Sequence, residues 1–452
     1  MLKSRATAAS QCWNGAREVR HGRKGDKTMT GSYSIPYGKM RLTFTLPDTL
    51  DVQVIAPADV PAAPDPPGVV RAALDDLLGG LRWDDFAGAR SAAVAVNDKT
   101  RPVPHDHLLP PLLERLENLG LAPEQITLIV ATGTHPPMPP AEFPQILPAG
   151  VLARYPVFCH DCDDAANLIY RGQTPRGTPV WINRRYAEAG LRLVVGNIEP
   201  HQFMGFSGGV KSAAIGLAGR ETINRNHALM MHENAQLGRY DGNPAREDVE
   251  DIGRLVGVHV ALNAVLNRDK QIVRALAGAP LAVMRAGIPL VNQLATVPVD
   301  APFDLVIAAP GGHPKDINLY QSQKALAHAA LITRPGGTII LAAACPEGTG
   351  SQKYERWMLD GVESYRAVFE RFAREGFQIG PHKAYQIARD AAARRVLLVS
   401  DMPPDLVRKL LLVPAALDEA INMALADLPL GARVGILPAA NATVPLPTFQ
   451  PS

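Results

Sequence analysis

The chain has 452 residues, 46% of them hydrophobic and 20% charged, with a formal net charge of +2. That is room for two or three domains with ordinary cores, and the near-neutral balance excludes the strong positive field of a nucleic-acid or anionic-membrane binder. Four cysteines (Cys12, Cys159, Cys162, Cys345) are too few for a disulfide framework, and neither a long apolar span nor a secretory core is present, so a cytoplasmic setting without a membrane partner is expected.

Residues 1–35 carry Lys3, Arg5, Arg17, Arg20, Arg23, Lys24 and Lys27 against Glu18 and Asp26, with no apolar periodicity. They read as a basic, disordered extension, or as sequence ahead of a true start at Met29; a targeting arm is the rarer alternative. A first domain is expected over 36–297. Its strands Ser91–Val96, Gln125–Ala131 and Leu191–Val195 are short and apolar, and the amphipathic helix Leu108–Leu119 lies between two of them. Arg285–Ala301 reads as the join to a second domain, 298–428. There the strands Asp304–Ala309, Thr338–Ala344 and Arg395–Ser400 alternate with helices Gln323–Ile332 and Val362–Glu375. Leu428–Pro438 is expected to return as a last strand of the first domain, so that 429–452 complete it. The fold class is α/β: two domains of mostly parallel sheets flanked by helices, with the active site in the cleft between them.

The chemistry-bearing residues follow the strands. The first runs into Asn97-Asp98-Lys99-Thr100-Arg101, the second into Thr132-Gly133-Thr134-His135, the third into Gly196-Asn197-Ile198-Glu199-Pro200-His201. Strand C-terminal ends are where open parallel sheets bind ligands. Two imidazoles on one small site suit acid–base work near neutrality, Asp98 is placed to fix a histidine tautomer, and the Arg101 fork matches a carboxylate or phosphate. Any one such histidine is more often a satisfied, partly buried ring.

Next comes the glycine-rich segment Gly205-Phe206-Ser207-Gly208-Gly209-Val210-Lys211-Ser212. A nucleotide-binding P-loop needs glycine directly before its lysine, and Val210 stands there instead. Lys211 is free to pair with an anion or to bond covalently to a cofactor. His227 in Asn226-His227 has no second histidine at metal-site spacing, so a metal held chiefly by a cofactor and once by protein would fit. Cys159-His160-Asp161-Cys162 lacks a second pair and reads as a structural loop; His105 and His107 read as an exposed turn.

Together, Asp98-Lys-Thr-Arg101-Pro, Thr132-Gly-Thr-His135, Glu199-Pro-His201, Gly208-Gly-Val-Lys211 and Asn226-His227 resemble, in order and spacing, the lactate racemase family. The resemblance covers roughly residues 40–440. It implies a nickel-pincer nucleotide, the Ni(II)-pyridinium-3,5-bisthiocarboxylic acid mononucleotide, bound covalently to Lys211, with His227 the protein ligand to the metal. His135 and His201 would be the two acid/bases, and Asp98 and Arg101 would adjoin the cofactor. Residues 36–297 would then be the cofactor-binding, catalytic domain and 298–428 the substrate side.

In the second domain, Asn318-Leu-Tyr320-Gln321-Ser-Gln-Lys324 resembles the family's substrate segment, making Tyr320, Gln321 and Lys324 substrate-binding residues. The implied activity is racemisation or epimerisation of a lactate-like 2-hydroxy acid by hydride transfer, with cofactor biosynthesis and maturation proteins as partners. The alternatives are an epimerase of a larger, dicarboxylic or sugar-derived acid on the same cofactor, or a non-catalytic cofactor-binding protein. One departure stands out. The tryptophan of lactate-specific members is replaced by Gly380-Pro-His382-Lys383-Ala-Tyr385, and Trp357 follows a different motif. Lys383 is read either as a solvated surface lysine, the commoner case, or as a partner for a second carboxylate.

Overall fold

A computed structural model describes residues 30–101 and 103–449; of the basic extension, residues 1–29 lie outside the described residues. Two six-stranded sheets organise the chain. The first has the spatial order Ile272–Gly278, Val260–Leu266, Leu191–Asn197, Ala92–Asn97, Ile126–Ala131, Val157–Cys159, parallel throughout except for the edge strand Ile272–Gly278. Its central strands are buried on both faces: every residue of Ala92–Val96 is at most 1% exposed. Covered faces explain why these strands read as unbroken apolar runs rather than alternating ones.

The second sheet is parallel throughout, in the order Val413–Pro414, Arg395–Val399, Thr333–Ala342, Phe303–Ala308, Arg433–Leu437, Asp51–Val54. This corrects two boundaries. The expected last strand, found at Arg433–Leu437, does not return to the first domain but fills the second sheet beside Phe303–Ala308, where Gly435 leaves room for the Phe303 ring. The first described residues belong there too. The hairpin Thr30–Tyr37 and Met40–Pro47 buries Ile35, Tyr37, Phe44 and Leu46 against Leu305, Ile307 and Ile340.

The expected join is also regular structure. Pro280–Ala295 is a helix with proline in its first turn, and Thr296–Val299 is a strand paired with Val444–Pro447. His105 is not in an exposed turn; it opens the helix His105–Asn118, is buried, and bonds the Ile146 carbonyl. No helix among the described residues is long and apolar enough to cross a membrane.

Candidate active site

Three parallel strands of the first sheet end side by side, and the loops that leave them converge. Asp98 follows Ala92–Asn97 and is 3% exposed; its Oδ2 lies 2.6 Å from His135 Nδ1. Thr100 donates to the other carboxylate oxygen at 2.7 Å. Burial alone would raise the Asp98 pKa, but the bonds and charges of His135, Thr100 and Arg101 outweigh it and hold the carboxyl below its usual range. A carboxylate on Nδ1 fixes the proton there and leaves Nε2 as the free base.

The loop carrying His135 is fastened to the segment carrying Lys211. Gly133 N–H donates to the Gly216 carbonyl, Thr132 Oγ1 to the His160 carbonyl, and His160 Nε2 bonds the Ala218 carbonyl. This accounts for the Cys159–Cys162 motif. His160 is fully buried, with Nδ1 on Asn183 and Nε2 on Ala218, so it is a structural brace. Asp161, Cys162 and Asp163 are close together, but Asp163 is engaged bidentately by Arg220.

His201 sits on a miniature hairpin, Pro200–His201 against Gly205–Phe206. Gly205, at φ 68°, is needed there because a Cβ would lie 1.9 Å from the Arg239 carbonyl oxygen. Ser207 closes the hairpin by accepting from Glu199 N–H and donating to the Asn197 carbonyl. Met204 N–H donates to His201 Nδ1 at 3.3 Å and orients the ring. The His201, Phe203 and His227 rings stack edge to face in a row, with centroids 4.9 Å and 5.3 Å apart.

Lys211 opens the short helix Lys211–Ala214. The glycine turn before it is held by two buried residues that the sequence did not flag. Arg246, 1% exposed, donates to the Phe206 and Gly208 carbonyls and to Glu250; Asn263 Oδ1 accepts from Gly209 N–H at 2.7 Å. Asn263 lies on the strand Val260–Leu266 and Arg246 on the helix Pro244–Val256. Asn243-Pro244 forms its N-cap and first turn, and Gly257 ends it in the left-handed conformation.

From the second domain, the helix Leu319–Ile332 is capped by Asn318 and presents Tyr320, Gln321 and Lys324 at its first turns. Gln202, next to His201, donates to Gln323 Oε1 at 3.3 Å, and Lys383 Nζ donates to the same oxygen at 3.1 Å. Lys383 is 4% exposed, so it is not a solvated surface lysine. Trp357 lies elsewhere. It bonds Glu375 under the Arg371 guanidinium and lines a cavity of about 590 Å³ with Arg220, Asn224 and Phe377, whose ring also packs on His227.

The cleft between the domains is therefore crowded with cations. Burial pushes the Lys211 ammonium well below its ordinary pKa, and Arg101, Arg246 and Lys324 push the same way. His201 is lowered well below its ordinary value by burial, then by Lys211, Arg101, Lys324 and His227. Burial and Lys211 bring His227 to about 3, while burial and Arg101 bring Lys324 to about 8 against the pull of Glu199. Glu199 is itself bonded to Lys270. This mutual coupling means that His201, Lys211, His227, Arg101 and Lys324 share one site, and the braces above tie His135 to it.

His201, Lys211, His227 and Lys324 bind protons more weakly in the fold than in the unfolded chain. The unfolded state therefore holds more protons wherever they titrate, and stability rises with pH. For the histidines the window lies below their ordinary 6.5, and for Lys324 between about 8 and 10.5. The melting temperature of the unliganded chain is expected to climb from roughly pH 5 to pH 9. Scanning calorimetry showing a decline over that range would contradict the buried cationic cluster.

The chain matches the family model for the lactate racemase N-terminal domain over residues 37–238 and that for the lactate racemase C-terminal domain over residues 299–444. The chain belongs to the lactate racemase family. It is 31% identical over 378 residues to the lactate racemase of Lactiplantibacillus plantarum, covering 82% of this chain and 88% of that protein. It is 29% identical over 413 residues to the lactate racemase of Thermoanaerobacterium thermosaccharolyticum, covering 89% and 96% respectively. The solved lactate racemase apoprotein from T. thermosaccharolyticum superimposes with a TM-score of 0.85, spanning 92% of this chain and all of that one. A Thermotoga maritima protein shares the fold at a TM-score of 0.65 and 19% identity, over 86% of this chain and all of that one.

Proposed function

We propose that this family member is a racemase or epimerase of a 2-hydroxy acid that works with a nickel-pincer nucleotide. What supports the reading is that His201, Lys211 and His227 act on one another in a buried cluster while hydrogen bonds fasten the His135 loop to the Lys211 segment. The names of the relatives as lactate racemases support the reaction class.

The residues fit the group. Burial keeps the His227 ring uncharged, and a ring that stays neutral far below pH 7 suits a metal ligand. Lys211, depressed by burial and by its cationic neighbours, is available as a free amine, the form that bonds covalently. Lys211 would tether the nucleotide, His227 would ligate the nickel, and Asp98 and Arg101 would adjoin it. When bound, the group supplies an acceptor for the hydride of the substrate's second carbon.

The chain's own residues do the rest. Lys324, with Gln321 one turn of helix away and Tyr320 beside it, holds the substrate carboxylate; a shift of about 1 Å there can cost on the order of a hundredfold in rate. One of His135 and His201 accepts the hydroxyl proton of the enantiomer on its side. The other returns a proton to the opposite side after the carbonyl has turned. Anionic groups bound in the cleft relieve the positive field that keeps His201 from holding a proton.

The chain made together with the cofactor's biosynthesis and maturation proteins is expected to contain nickel, a mass adduct on Lys211 and racemase activity, with a primary isotope effect for substrate deuterated at the second carbon. Full activity without the adduct would remove the reading. Within it, Asp98→Asn loses the acceptor that fixes the His135 tautomer. A fall in kcat on the order of a hundredfold is expected, with little change in KM. An unaltered kcat would reduce Asp98 to a packing residue.

A further inference from the structure

Resting on that reading, we propose that the substrate is a 2-hydroxy dicarboxylate, and that Lys383 binds its second carboxylate. Lys383 is 4% exposed and has no carboxylate of its own. Its Nζ lies 4.5 Å from the centroid of the Tyr320 ring and, among the described residues, hydrogen-bonds only the amide oxygen of Gln323. The nearest acid, Asp390, is committed to Arg389 at 2.8 Å and to Gln323 Nε2 at 3.1 Å. A buried ammonium without an anion is costly, so an anion brought by a ligand is the missing partner.

Geometry fixes where that anion lies. Tyr320 and Lys324 are one helical turn apart, about 5–6 Å between their Cβ atoms. Lys383 stands over the Tyr320 ring and bonds Gln323, the residue before Lys324, so both lysines lie at the same end of this helix. With the first carboxylate at Lys324, a second at Lys383 requires a short diacid. Burial and the charge of Lys324 depress the Lys383 pKa, and an adjacent carboxylate would oppose that depression. Lactate offers only a methyl group to this position.

Calorimetric titration of the full chain with malate and with lactate, with and without cofactor, tests the idea. Malate is expected to bind about tenfold or more tightly than lactate, as one charge-assisted hydrogen bond permits. Lys383→Met is expected to collapse that ratio toward one, and Lys383→Arg to preserve part of it; a melting curve for each variant checks folding. No preference for malate, a preference that survives Lys383→Met, or tighter binding of gluconate than of malate would each overturn the inference. Lactate racemisation without a malate preference would leave the proposed function standing and sink only this step. A Lys383-dependent malate preference in a loaded chain that racemises no 2-hydroxy acid would do the reverse.

Discussion

Lys211→Ala is expected to reduce racemisation at least about a thousandfold, since an untethered group loses the positioning that makes such steps effectively unimolecular. The adduct should vanish from the intact mass, and nickel should fall with it. The same variant should leave the unliganded fold slightly more stable, because it removes a base whose protonation burial, Arg101, Arg246 and Lys324 all disfavour in the fold but not in the unfolded chain. A gain of about 1 kcal/mol, a few degrees in melting temperature, is expected. Opposite signs for activity and stability are the signature sought. A variant that loses both would mark Lys211 as structural, and one that keeps full activity would end the proposed chemistry.

The second large effect concerns the two imidazoles. His135→Gln and His201→Gln are each expected to lower kcat by about 10²- to 10⁴-fold in both directions of the reaction. Inversion needs a proton carrier on each side, so losing one blocks every complete turnover. The double variant should therefore be little worse than either single one, a non-additivity expected of groups that act as a unit. Multiplicative losses would show two independent roles instead. Asp98, bonded to His135, should follow the His135 variant and add nothing to it.

Much of this site was legible in the chain because its residues sit at the ends of doubly covered strands. Ala92–Asn97, Ile126–Ala131 and Leu191–Asn197 differ from the expected segments by one or two residues at an end, and the chemistry begins where each apolar run stops. That placement put Asp98 within reach of a histidine, and the folded chain sets it on His135. What could not be read was long-range pairing. Nothing local in Arg433–Leu437 says that it lies between Phe303–Ala308 and Asp51–Val54, since an apolar run fits any covered sheet. Arg246, Gln202 and Gln323 were missed for the same reason. Their partners, the Gly208 carbonyl and each other, are distant in sequence, and only the folded chain brings them together. Lys383 shows the limit from the other side: a lone lysine in a polar stretch is usually solvated, and only tertiary burial overrides that prior.

The placement of Arg433–Leu437 bears on how the molecule is made. The second sheet takes one strand from residues 51–54, several from the middle, and the strand between them from near the end. The half bearing Lys211 has all its strands between residues 92 and 278 and can consolidate while synthesis continues. Its counterpart must hold Asp51–Val54 without a neighbour until the ribosome has delivered residue 437. Trimming some twenty residues from the carboxyl end would thus cut Asp51–Val54 off from its sheet rather than shorten a tail.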